Sequence, residues 1–291
     1  MDYYIACTSA VDLNQEIIDK NNIKCVYYSV NKDGKEFLDD FFYSYPYEQF
    51  YDDIKSGLQY KTSQFGYGRY LELLGNLLKE GKNVLFIGLS GGITGDTATV
   101  TMAAKEINEQ YENKVYVLDS LCASSGYGML VVKACENRDK GMSFEDNIKW
   151  LEDYKLSIHH WFVSSDLSSY VRGGRLSKAA GLVGTALKIC PLMYMPGDGT
   201  LEPFEKIRTE SKALRAQVEK MKELCKDGLD YDDYVWISCS NCDEQAMKVA
   251  DMIKEEFHNV KEVKIFHVGA AIGSHTGPGT TSLYFIGKKR A

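Results

Sequence analysis

No run in the 291 residues comes near the roughly 20 consecutive apolar positions that a membrane-spanning helix needs. Nor do the opening residues, Met1-Asp2-Tyr3-Tyr4, carry the basic and then apolar pattern of a secretory signal. An excess of positive charge is missing too, since 34 Lys and Arg stand against 41 Asp and Glu, a formal net charge of −7. That balance leaves no electrostatic footprint for nucleic acid. These absences predict a cytoplasmic protein with no integral membrane segment and no nucleic-acid partner. A phosphate-cradling G-x-x-x-x-G-K-[ST] string is also absent; the nearest, Gly75 to Gly81-Lys82, is one residue too long and ends in Asn83. Neither a second C-x-x-C pair nor a spaced pair of histidines accompanies Cys239-Ser-Asn-Cys242, and the adjacent His159 and His160 point apart. No metal and no cofactor is therefore expected. In the cytoplasm the eight cysteines are expected as thiols, although Cys239 and Cys242 keep redox-motif spacing between a strand and a helix.

What is present alternates. Short apolar runs, among them Tyr4–Cys7, Lys24–Val30, Val84–Ile87, Val115–Leu118, His160–Val163, Tyr234–Ser238 and Leu283–Ile286, read as strands. Between them lie amphipathic stretches such as Arg69–Glu80, Thr97–Gln110, Phe144–Tyr154, Lys212–Lys226 and Asp243–Phe257. Strand and helix in alternation predict an α/β fold with at least one parallel sheet. The alternation is regular up to Tyr154 and looser beyond it, so two α/β domains are expected, 1–156 and 157–291. Residues 31–50, aromatic-rich around the turn Lys32-Asp33-Gly34-Lys35, read as a small insertion in the first.

Four small polar loops stand where strands end, the usual place for ligands on open α/β sheets. They are Thr62-Ser63-Gln64, Gly88-Leu89-Ser90-Gly91-Gly92, Gly173-Gly174-Arg175-Leu176-Ser177, and Gly273 to Gly279 around His275. The second is ambiguous. As G-x-S-x-G it fits the nucleophile elbow of a serine hydrolase or esterase, with Asp119 and His275 following in triad order, though no oxyanion-type HGGG precedes it. As a serine hydroxyl and free N–H groups at a helix start, it is equally a seat for a carboxylate, or simply a helix cap.

Taken in order, these loops and their neighbours resemble the DegV family. Cys7-Thr8-Ser9 with Asp12-Leu13 is similar to its opening T-D-S-x-x-D-L, Thr62-Ser63-Gln64 to its TSQ, and Leu89-Ser90-Gly91 to its LSG. Asp119-Ser120, Ser124 to Gly128, Leu167 to Ser177, Lys188 to Pro191, Lys206 to Thr209 and His275 to Gly279 complete the series over nearly the whole chain. The family's aspartate, proline and threonine are replaced by Thr8, Phe65 and Gly92. The resemblance implies a Rossmann-like N-terminal domain with a parallel sheet, a second α/β domain, and a long-chain fatty acid in the cleft between them. It further implies a lipid-binding protein that is not itself an enzyme and that acts as the carrier subunit of bacterial fatty acid kinase. A separate kinase would phosphorylate the bound carboxylate for phospholipid metabolism. By motif, Thr62, Ser63, Ser90 and Gly91 would hold the carboxylate, with His275 approaching from the last loop. Phe65, Ile93, Leu192, Tyr194 and Ile272 flank these loops as candidates for the acyl slot. Arg175 and Arg208, in a basic concentration with Arg172, Lys178, Lys188 and Lys206, would dock the kinase or lie near the phosphate.

Overall fold

A computed structural model describes residues 3–177 and 189–291; Lys178 and Lys188 lie outside the described residues. Strands β1 (Tyr3–Thr8), β2 (Lys24–Val26), β6 (Asn83–Gly88) and β7 (Val115–Asp119) form a wholly parallel sheet in the order β2-β1-β6-β7. Every residue of β1 is buried, and successive side chains serve different layers. Tyr4 and Ala6, with Val84 and Phe86, pack beneath the amphipathic helices α3 (Tyr67–Lys79) and α4 (Asp96–Ile107). Tyr3, Ile5 and Cys7, with Leu85 and Ile87, face the opposite layer. Burial on both faces is what a parallel sheet requires, and it explains the continuous apolar runs.

Lys24–Val30, expected as one strand, divides. After β2 the chain turns at Tyr27-Tyr28, where the Tyr28 N–H donates to Ser9 Oγ (3.2 Å) rather than to a sheet neighbour. It then enters β3 (Ser29–Lys32), which pairs antiparallel with β4 (Lys35–Leu38) and β5 (Lys61–Ser63) in a separate small sheet. Two short helices belong to this region, α1 (Gln15–Lys20) before β2 and α2 (Tyr47–Lys55) between β4 and β5.

The remaining strands, β8 (Ile158–Ser164), β9 (Ile189–Tyr194), β10 (Glu202–Arg208), β11 (Tyr234–Cys239), β12 (Glu262–His267) and β13 (Thr280–Ile286), make one mixed sheet ordered β10-β9-β8-β13-β11-β12. Only β11 and β12 are parallel neighbours in it. Helices α8 (Glu210–Leu224) and α9 (Asp243–Glu256) lie against it. Helix α5 (Ser124–Asp139) touches β1 on one side and β8, β11 and β13 on another. Two glycines make this possible. A Cβ on Gly126 would stand 2.3 Å from His160 Nε2, and one on Gly128 would stand 2.7 Å from the Val11 carbonyl oxygen. Two residues apart on a helix is roughly 200° around its axis, so each glycine admits a different neighbour. Helix α6 (Phe144–Tyr154) then leads to β8, while α7 (Ser168–Arg172) and α10 (Ala270–Thr276) follow β8 and β12. No helix of the described residues is long and apolar enough to cross a membrane.

Candidate functional site

Helix α10 is fixed at its start by acidic groups. Asp12 accepts from the Gly269 N–H (2.9 Å), and Asp39 accepts from the N–H groups of Ala270 and Ala271. Both carboxyls are fully buried, and that burial pushes their pKa values upward. Gly273 lies so near Tyr51 that a Cβ would meet its hydroxyl oxygen at 2.6 Å. His275 lies in the last turn of the helix so held.

The Gly173-Gly174-Arg175 segment closes on that imidazole. A side chain at Gly173 would collide with His275 Nδ1 at 2.5 Å, and Gly174 has a φ of +72°, which glycine adopts without strain. The chain therefore folds back. Arg175 Nη1 donates to His275 Nδ1 (3.2 Å), while Nε donates to the Ile93 carbonyl (3.2 Å). A guanidinium can only donate, so Nδ1 is the acceptor and the ring proton resides on Nε2. That proton is given to Thr62 Oγ1, 2.8 Å away. Thr62, on β5, is left with its own hydroxyl hydrogen to offer. The imidazole stays neutral, because burial and then the Arg175 charge lower its pKa to about 4.

These groups line a cavity of about 550 Å³, of a size typical for small-molecule sites. Thr62, Ser63, Thr94, Arg175 and His275 are polar members of its wall, and Ile93, Phe162, Met195, Leu201 and Ile272 are apolar ones. Thr94 has no counterpart among the sequence expectations. Its Oγ1 accepts the Asp96 N–H (3.2 Å), so its hydroxyl hydrogen is also available. Among the described residues the acceptors of Arg175 are two carbonyls and the imidazole, none of them a carboxylate. A partly buried cation with no carboxylate partner among those residues, beside an apolar cavity, favours an anionic ligand.

Other expected residues take different places. Ser90 is fully buried and absent from the cavity wall; its hydroxyl donates to the Gly199 carbonyl (2.7 Å) and accepts the Gly92 N–H (3.2 Å). The Gly91 N–H is bound by both oxygens of Asp119 (3.1 Å each), and Asp119 also accepts from the Leu121 N–H. The hydrolase alternative loses its geometry here. Among the described residues no hydrogen bond joins Ser90 to His275 or His275 to Asp119, since each already serves another partner. Ile93 and Ile272 line the cavity, but Phe65 packs on Tyr70, Leu192 is core, and Tyr194 stacks on Trp161. Arg172 reaches the cavity and donates to Ser169 Oγ (2.8 Å). Arg208 and Lys206 are exposed on β10, outside the cavity wall.

Comparison with known proteins identifies the family and the fold. A family model described as "Uncharacterised protein, DegV family" matches residues 4–288. The DegV domain-containing protein CPE0026 of Clostridium perfringens is 29% identical over 286 residues, which cover 98% of this chain and 97% of the relative. The solved structure of DegV, a fatty acid binding protein from Bacillus subtilis, is 27% identical with a TM-score of 0.83, over 99% of this chain and 100% of that one. The Streptococcus pneumoniae Fatty Acid Kinase (Fak) B3 protein, loaded with linoleic acid, shares the fold at a TM-score of 0.84 and 21% identity, over 99% of this chain and 100% of that one. With its ordered loops, its two-domain α/β architecture and a match spanning nearly every residue, this chain belongs to the DegV family.

Proposed function

We propose that the protein binds one long-chain fatty acid and presents it to a separate kinase that forms an acyl phosphate. The observation that carries this reading is the relay from Arg175 through neutral His275 to Thr62, ending in an available hydroxyl at the wall of a largely apolar cavity. The carboxylate sits against Thr62 and Thr94, with Ser63 at the rim, and each buried methylene of the acyl chain adds about 0.8 kcal/mol. Ser90 and Gly91 act at one remove: they brace the loop that carries Thr94 by holding Gly199 and Asp119. Arg175 holds the neutral ring in place and adds a positive charge at the cavity wall, which favours an anion. Arg208, exposed on β10, is the candidate for kinase docking. All eight cysteines are free, which suits work in the cytoplasm.

Mass spectrometry of lipid extracted from the purified protein tests this. The expected result is about one fatty acid per chain, with a fluorescent fatty acid rebinding to delipidated protein. Absence of extractable lipid together with no rebinding would overturn the proposal.

A further inference from the structure

A second cluster stands apart from the lipid cavity, at the ends of β11 and β12. Cys239 and His267 are the last residues of these parallel strands and face each other in register. Asp243 opens α9, one helical turn beyond Cys239. The Cys239 thiol and His267 Nε2 both donate to the same oxygen, Asp243 Oδ1, at 3.7 and 2.8 Å. Sulfur, nitrogen and oxygen all lie within 4.8 Å of one another. We propose that Cys239, Asp243 and His267 form a zinc-binding site, a cation taking the place of the two hydrogens that now converge on Asp243.

The geometry and the ligand types point to this metal. Zinc bonds of about 2.0–2.3 Å in a tetrahedron set ligand atoms about 3.3–3.7 Å apart; the sulfur–oxygen separation of 3.7 Å already matches, and the nitrogen–oxygen pair at 2.8 Å opens by a few tenths of an ångström as the shared hydrogen leaves. One thiolate, one imidazole and one carboxylate suit zinc better than the hard oxygen-seeking cations. The side chains of His267 and Asp243 are half exposed, so water completes the fourth position. On binding, the thiol gives its proton to solvent, and the imidazole proton moves from Nε2 to Nδ1. Tyr47 sets the ring's attitude, stacking on His267 with centroids 4.3 Å apart and planes at 19°. Asp243 and Glu244, both in the first turn of α9, offset the positive end of that helix. Cys242 is excluded, because its sulfur is directed to the Thr280 carbonyl (3.1 Å) and Thr281 Oγ1 (3.3 Å). Sequence spacing conceals the site: His267 lies 24 residues beyond Asp243, and strand pairing alone brings it back to Cys239.

The test is zinc titration of the reduced, metal-stripped full-length chain against a chromophoric chelator. One zinc per chain is expected, with a dissociation constant on the order of 1 µM or below. His267→Gln, at a half-exposed position that leaves the core intact, should weaken binding at least about 100-fold, the upper range for losing mere supporting groups. Cys242→Ser should leave the affinity within a few-fold. Cobalt in place of zinc should show a thiolate charge-transfer band that Cys239→Ser abolishes and Cys242→Ser keeps. No stoichiometric uptake, or uptake equally strong in His267→Gln, or uptake lost only in Cys242→Ser, would each overturn the assignment. Fluorescent fatty-acid binding by His267→Gln should match the parent, which keeps this result separate from the lipid proposal.

Discussion

Arg175 cannot accept a hydrogen bond, and that chemical fact reaches Thr62 through one ring. Because Nδ1 of His275 must be the acceptor, Nε2 is the donor and the threonine hydrogen is directed elsewhere. A hydrogen bond to a charged acceptor contributes roughly 1.5–3 kcal/mol, and about 1.4 kcal/mol is tenfold in affinity. Thr62→Val and Thr94→Val should therefore each weaken fatty-acid binding about 10- to 100-fold in a fluorescence titration. Ser90→Ala should instead cost about 1–3 kcal/mol of stability in urea, by orphaning the Gly199 carbonyl, and change affinity less. The opposite ranking would return the carboxylate to Ser90. The histidine makes a separate prediction. Its pKa falls from 6.5 unfolded to about 4 folded, so between those values the unfolded chain binds more protons. Its share of stability is complete above pH 6.5 and declines as pH drops toward 4, by up to about 1.4 kcal/mol per unit. Buried Asp12 and Asp39, with raised pKa values, act in the reverse sense. The readout is accordingly the difference between parent and His275→Gln, whose stability should fall less steeply across that window. Thr62 and His275 were legible in the sequence as polar residues in loops at strand ends. Thr94 was not, because Ser90 offers the better-known pattern and its commitment is to a carbonyl 109 residues away. Arg175 was expected to dock the kinase or lie near the phosphate, and two glycines before it turn it to the cavity wall.

At the scale of elements, periodicity found what has one wet face. Helices α3, α6, α8 and α9 fall close to the expected stretches because each keeps a polar side. Helix α5 escaped notice for the complementary reason: buried positions run through it from Ser124 to Arg138 with no solvent stripe. Its Ser124 to Gly128 segment stood out only as a stretch resembling a family motif, yet it forms the first turns of the most enclosed helix described. The three-residue strand β5 carries too few positions for alternation to register, and so the element that bears Thr62 was read as a loop. The tight fit of α5 is testable. Gly→Ala inside a helix ordinarily favours folding by about 0.5–1 kcal/mol. At Gly126 the added carbon meets His160 and Tyr284, and at Gly128 it meets Val11 and Leu13. Overpacking costs about 1–3 kcal/mol and occasionally more, so both Gly126→Ala and Gly128→Ala should be net destabilising in denaturant unfolding. A gain in either would mean that the helix has room to move.

For the molecule as a whole, we propose 1–156 and 157–291 as its two domains, joined by an interface that neither half can leave exposed. One hydrophobic cluster runs from Ile5 and Leu85 through Tyr127 and Val131 to Trp161, Ile237 and Leu283. A fragment of residues 1–156 expressed alone should accordingly fail to show a cooperative unfolding transition; a sharp transition would refute the shared core. Arg208 tests the carrier role at the same scale. Arg208→Ala should leave lipid affinity unchanged and lower kinase-dependent acyl-phosphate formation, with a loss that added salt reproduces. Equal loss in both assays would make it part of the lipid site.

Helix α5 also decides how a ligand gets in. A protein that closes on its cargo by hinging needs two bodies free to part, and here the same helix is gripped by β1 on one side and by β8, β11 and β13 on another. Parting them would expose the buried apolar side chains of the enclosed helix to water, which opposes hinging. For the lipid proposed above, the expected route lies between the Thr62-Ser63-Gln64 strand end and the Arg172 to Arg175 turn, which both border the cavity outside the shared core. Residence time then belongs to that doorway rather than to the scaffold. A kinase that seats itself over the doorway would hold the acyl chain in place during transfer, with no change of fold required.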